Sequence, residues 1–204
     1  MNDQQRPSSE QTRPTAAPIP APTGAPAPVV AEPPRKSPWS RRDNAVRALW
    51  ALCFATVWKL VPTDTARAGL LRRFGATVGR GVKIHRDVHI EIPWHLSIGS
   101  GTIVCRGAIL YCLGRVTIGE RCLIGPFVHL CAGTHDYTDP AFTLLREPIT
   151  IGDDCVLMSD AFVAPRVTLA NGTVLRPRCG AFRDTEPHTT YAGNPGRPVD
   201  GGNG

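Results

Sequence analysis

From Val78 onward an aliphatic side chain returns every six residues. Val78, Ile84, Ile90 and Leu96 make the first run, and Ile98, Val104, Leu110 and Val116 the second. Ile118, Ile124 and Leu130 follow, and after a gap come Ile151, Leu157, Val163, Leu169, Leu175 and the weaker Ala181. Four residues past most anchors the side chain is small, as at Thr102, Ala108, Cys122, Cys155, Ala161 and Cys179. A period of six fits neither a helix of 3.6 residues per turn nor the two-residue alternation of a strand. It fits a chain that turns a corner every six residues and closes a coil with three flat faces, anchors inward and small residues at the corners. That is a parallel β-helix of hexapeptide repeats.

The phrases LSIG (96–99), VTIG (116–119) and ITIG (149–152) mark where coils begin. From Ile98 to Ile118 is 20 residues, but from Ile118 to Ile151 is 33. The surplus is AGTHDYTDPAFTLLREP (132–148), a loop pushed out of the third coil. Loops on a rigid scaffold are where function concentrates, and this one carries His135. A lone loop histidine reads first as a surface residue. Its flanking Thr134 and Asp136, and the ending YAGNPGRPV (191–199), argue for more.

Composition divides the rest. Ten of the 20 prolines fall in residues 1–38, among Ala, Thr, Gln and Ser. With almost no large apolar side chains, that segment reads as a disordered tail, and it lacks the apolar core of a secretory signal. Residues 39–73 carry seven basic groups against Asp43 and Asp64, a surplus of five within the chain's net +6, whereas 74–204 carry twelve of each sign. A neutral body argues against nucleic-acid binding. Seven cysteines, an odd number without a CxxC pair, suit a reducing cytoplasm. Cys122, Cys155 and Cys179 fall at the small offset position and read as buried hydrophobes.

Residues 43–61, DNAVRALWALCFATVWKLV, predict a helix started by Asp43 or Asn44 and stopped by Pro62. The apolar stretch between Arg47 and Lys59 is eleven residues, too short to span a bilayer. Two readings stand: a cap over the open first coil, or a basic, aromatic helix resting on the inner membrane surface.

With LLRRFGA (70–76), IPWHLSIG (92–99), LCAGTHDYTDPAF (130–142), DAFVAPRVT (160–168) and YAGNPGRPV (191–199), the chain resembles the hexapeptide-repeat acyltransferases. The likeness is strongest to the colanic acid biosynthesis acetyltransferases and the maltose/galactoside O-acetyltransferase group, and runs from about Ser40 to Val199. The resemblance implies an all-β, left-handed parallel β-helix of about five coils over 74–186, followed by an extension at 187–204 holding the AGNPGR element. It implies acetyl transfer from acetyl-CoA to a sugar hydroxyl of an exopolysaccharide or its precursor, in a homotrimer whose sites lie between neighbouring prisms, and it implies no metal. His135 would be the general base, its second ring nitrogen held by Asp136, Asp139 or a backbone carbonyl. Ser159, Arg183, Asn194 and Arg197 would bind the cofactor, and Cys105, Tyr137 and Asp139 the acceptor. Where the family carries a small, glycine-rich segment before its basic residue, this chain has Arg176, Pro177 and Arg178, and Arg166 stands where glycine is common.

Two rivals share the fold. One is a scaffold that has lost CoA binding through the altered 175–182 segment. The other is a zinc hydratase of the γ-carbonic anhydrase type, for which His95, His129 and His135, spaced 34 and 6 apart, would be ligands.

Overall fold

The computed structural model describes residues 39–200 of the 204. The expected disordered tail, 1–38, lies outside them. Every strand of the prism is two or three residues long, and the strands stack in parallel into three flat faces. The first face holds Thr77–Val78, Leu96–Ile98, Val116–Ile118, Ile149–Ile151 and Thr168–Leu169. The second holds Lys83–Ile84, Ile103–Val104, Leu123–Ile124, Val156–Leu157 and Val174–Leu175. His89–Ile90, Ile109–Tyr111, His129–Cys131, Phe162–Val163 and Gly180–Ala181 make the third. This is the left-handed β-helix, with five complete coils. A sixth is begun by Thr190–Ala192 on the second face, to which Arg197–Val199 adds antiparallel.

Register explains the period. Ile98, Ile118, Ile151 and Leu169 pair in sequence down the first face, and Val104, Ile124, Leu157 and Leu175 down the second. All eight are buried, so like side chains stack on like at interior density. Cys122, Cys155 and Cys179 are buried as expected, and all seven cysteines are free. The corners demand left-handed backbone. At one, Gly101, Arg121, Asp154 and Gly172 all have φ between 53° and 72°. At the next, Gly107, Phe127, Asp160 and Arg178 do the same. Glycine takes this conformation freely and other residues do so at a cost.

The segment before the prism forms two helices rather than the single helix expected at 43–61. Helix α1 is Arg41–Thr56, and its cap is Ser40, whose Oγ accepts from the Asp43 N–H at 3.1 Å while the Asp43 carboxylate reaches back to the Ser40 N–H. Asp43 thus completes a capping box from inside the helix. A short 3₁₀ turn, Trp58–Leu60, follows, and after Pro62 comes α2, Asp64–Arg73, capped by Thr63.

These helices close the open coil in a specific way. Down the prism, each anchor's carbonyl accepts from the coil before it, as Val104 does from the His85 N–H at 2.9 Å. The first coil has no predecessor, so the carbonyls of Val78, Ile84 and Ile90 would be orphaned, one on each face. Side chains fill all three. Arg72 Nη2 donates to Val78 at 2.7 Å, Arg67 Nε to Ile84 at 2.7 Å and Trp50 Nε1 to Ile90 at 2.8 Å. Unpaired sheet edges invite other chains, and here they are covered. Trp50, Phe54, Trp58 and Phe74 pack ring against ring beneath the cap.

Candidate active site

The surplus of the third coil leaves the prism as a hairpin, Thr134–His135 paired antiparallel with Leu144–Leu145. Its two passages squeeze past Gly114, where a Cβ would meet the carbonyl oxygens of Ala132 and Glu147. At the base of the hairpin the Arg146 guanidinium lies 3.8 Å from the centre of the Trp39 ring, over which Arg47 also sits.

At the tip, His135 is fixed by Phe142, a residue outside the expected site. The two rings stack at 4.3 Å with 10° between planes, and His135 Nδ1 lies 2.8 Å from the Phe142 carbonyl oxygen. A carbonyl only accepts, so Nδ1 is the donor, and in the neutral imidazole the lone pair is on Nε2. Of the three orienting groups open from sequence, the structure has the backbone carbonyl. Asp136 is engaged elsewhere: its Oδ1 accepts from the Thr138 N–H at 2.9 Å and the Thr138 hydroxyl at 2.7 Å, which shapes the turn. These bonds hold its carboxyl below the usual range. Asp139 is engaged likewise with the Ala141 N–H and the Thr143 hydroxyl. Short polar side chains bonding backbone two residues on are the ordinary chemistry of tight turns.

His135 lines a cavity of about 550 Å³ with Tyr111, Cys131, Tyr137, Phe162 and Phe182. Tyr137 stands edge-on to Phe142, 5.6 Å away, and is otherwise exposed. Phe182 also lines a second cavity, about 420 Å³, at the base of the prism, where Arg183 and Arg197 sit. The Phe182 ring thus lies between the imidazole and a cavity lined by two arginines and two carboxylates, Asp184 and Glu186. The arrangement sets an imidazole on an aromatic floor, with two guanidinium groups in the adjoining cavity.

Among known proteins the chain is 39% identical over 158 residues to the colanic acid biosynthesis acetyltransferase WcaF of Escherichia coli (strain K12), covering 76% of this chain and 87% of that one. The chain belongs to the hexapeptide-repeat acetyltransferases. No protein-family model matches it. A hexapeptide-repeat acetyltransferase of Vibrio cholerae O1 biovar eltor, solved with acetyl-coenzyme A, superposes with a TM-score of 0.73 at 22% identity over 79% of this chain and 89% of that one. A galactoside acetyltransferase solved with coenzyme A also gives 0.73 at 22%, over 80% and 84%.

Within this acetyltransferase the other expected residues are spread out. Asn194 is exposed, its amide over Gly180, where a Cβ would fall 2.7 Å from Oδ1. Ser159 is exposed at the corner between the second and third faces and lines neither cavity. Cys105 occupies that same corner two coils earlier, in a cleft with Arg67, Lys83 and Arg106. One chain of the acetyltransferase therefore does not bring Ser159 or Cys105 to His135. Arg176, Pro177 and Arg178 continue the corner, and Arg178 lies 3.3 Å from Asp160.

The three histidines of the zinc alternative have separate surroundings. His95 Nδ1 lies 2.9 Å from the Leu113 carbonyl, and His129 is wedged edge-on between Tyr111 and Phe162. His129 Nε2 is buried without a partner, and burial lowers its pKa, with His89 adding to the effect. No three ligating side chains converge among the described residues.

Proposed function

We propose that this acetyltransferase moves the acetyl group of acetyl-CoA to a hydroxyl of a sugar, in an exopolysaccharide of the colanic acid type or its precursor, with His135 as general base. The observation that carries this is the Phe142 carbonyl, which keeps the proton on Nδ1 and leaves Nε2 basic in a cavity beside Arg183 and Arg197.

In the reaction Nε2 takes the proton of the sugar hydroxyl as its oxygen attacks the thioester carbonyl. The tetrahedral adduct collapses, the C–S bond breaks, and the thiolate takes the proton back from the imidazolium. No acyl-enzyme forms. Arg183 and Arg197 suit the phosphates of CoA, since guanidinium groups match phosphate oxygens in pairs, and the AGNPGR turn with Asn194 borders their cavity. The rings of Tyr111, Phe162 and Phe182, with exposed Tyr137, offer flat apolar surface to a pyranose, and Asp139 holds the turn that presents Tyr137. Ser159 and Cys105 reach the site from the neighbouring prism of a homotrimer. The enzyme works in the cytoplasm.

Calorimetric titration with acetyl-CoA tests the cofactor half. Saturable binding weakened in Arg197→Ala supports it, and no heat from the wild type would instead favour a scaffold whose channel Arg176–Arg178 has closed. Acetyl transfer to sugar acceptors by His135→Ala tests the chemistry. A rate equal to the wild type would remove the histidine from it.

A further inference from the structure

The outer face of α1 is unaccounted for by the fold. At 3.6 residues per turn, Arg41, Ala45, Leu49, Leu52 and Thr56 share one side, opposite Trp50 and Phe54. Trp50 is buried in the cap and Phe54 is half-buried against it, so neither ring belongs to the outer face. Outside, Leu49 is 57% exposed, Leu52 61% and Leu60, just past the helix, 79%. Arg41 and Arg42 lie at one end of this apolar strip and Lys59 at the other, all exposed.

The charges on this segment now separate by use. Arg67 and Arg72 cap the first coil, and Arg47 meets Glu91 at 3.4 Å. Arg41, Arg42 and Lys59 form no ion pair among the described residues, and no acidic side chain accompanies them on the outer face. Helix stability does not explain Arg41 and Arg42 either. They sit in the first turn, at the positive end of the helix dipole, where cations are disfavoured. A helix apolar on two opposite sides, with positive charge bracketing the outer one, matches a surface that is negative and oily at once.

We propose that the outer face of α1 docks on an anionic lipid membrane, Leu49, Leu52 and Leu60 entering the headgroup boundary and Arg41, Arg42 and Lys59 meeting lipid phosphates. The contact is peripheral, since no described helix is long and apolar enough to cross a bilayer. It uses no residue of the His135 site and stands whether or not the acceptor is a sugar.

Flotation of the full-length protein with phosphatidylglycerol-containing vesicles and with pure phosphatidylcholine vesicles tests this. The wild type is expected to float with the anionic vesicles and far less with the zwitterionic ones. Each basic residue near an anionic surface multiplies partitioning by roughly five, so Arg41→Ala/Arg42→Ala should weaken it by about 25-fold. Leu49→Ser/Leu52→Ser should weaken it by at least about ten-fold through lost apolar burial. Both pairs are exposed, so thermal midpoints should match the wild type. Absence of flotation, or equal flotation with both vesicle types, overturns the proposal. So does leucine-dependent self-association by sedimentation without vesicle binding, which would make the strip a contact between copies of the chain.

Discussion

Asp136 and His135 are neighbours in sequence with separate tasks. The Asp136 carboxylate is spent on Thr138, and asparagine at this position keeps an oxygen for the same N–H and hydroxyl. Asp136→Asn should therefore hold acetyl transfer within about ten-fold of the wild type, while His135→Ala loses on the order of 10²–10⁴. Steady-state rates with a saturating sugar acceptor decide it; equal losses would return Asp136 to the chemistry. His129 has the opposite problem, a ring nitrogen buried with no partner. Its folded pKa lies below the ordinary 6.5, so well above that value it is neutral in both states and contributes no pH dependence. As pH falls, the unfolded chain binds the proton first and stability is lost, until the folded pKa is passed. His129→Phe keeps the flat wedge between Tyr111 and Phe162 without the titration. Moving from about pH 7.5 to about pH 5.5 should thus shift stability in favour of the variant in urea unfolding. A difference constant across that range would show that His129 does not titrate on unfolding. His135 was legible because it interrupts a period; Phe142 was not, because only the hairpin fold brings a carbonyl seven residues away back to the imidazole.

Two arginines show why the prism and its need for a cap were readable and the donors within the cap were not. Anchors repeat every six residues because each coil repeats the last, so a local rule written many times is easy to see. The capping donors Trp50, Arg67 and Arg72 appear once each, and what they fill is the absence of a coil. Arg67 is buried and also donates to the Val61 carbonyl at 2.6 Å and to Asp64 at 2.6 Å. Arg67→Leu strands the buried Ile84 carbonyl and the half-buried Val61 carbonyl and should cost about 2–3 kcal/mol. Arg166 is the reverse case. It turns a corner at φ 68°, and its guanidinium is largely exposed, 3.7 Å from Glu147, a contact of little weight. The left-handed backbone costs a non-glycine residue roughly 1–2 kcal/mol, and glycine returns about half of that as unfolded-state entropy. Arg166→Gly should therefore gain about 0.5–1 kcal/mol. Urea midpoints of the two variants should move in opposite directions, and a loss in Arg166→Gly would mean that its side chain has a partner worth more than the strain.

At the scale of the molecule, the cavities and the corner belong to different sides of one prism. His135, Phe182, Arg183 and Arg197 lie along the third face and the base, whereas Cys105 and Ser159 lie on the corner between the second and third faces, outside those cavities. A rigid prism cannot fold its own corner onto its hairpin, so if both sets serve one reaction the site is completed by a neighbouring copy. Closed symmetry makes this a counting problem. His135→Ala and Ser159→Phe chains should each be inactive alone, the second because a ring fills the space beside the cofactor. When they are co-expressed and mix at random, a site pairing the intact histidine of one chain with the intact serine of the next arises in about one case in four. Roughly a quarter of wild-type transfer should then return, measured on assemblies that sediment as three chains. No recovery from well-mixed assemblies would place the whole reaction within one chain, and an active Ser159→Phe enzyme would remove that corner from the site.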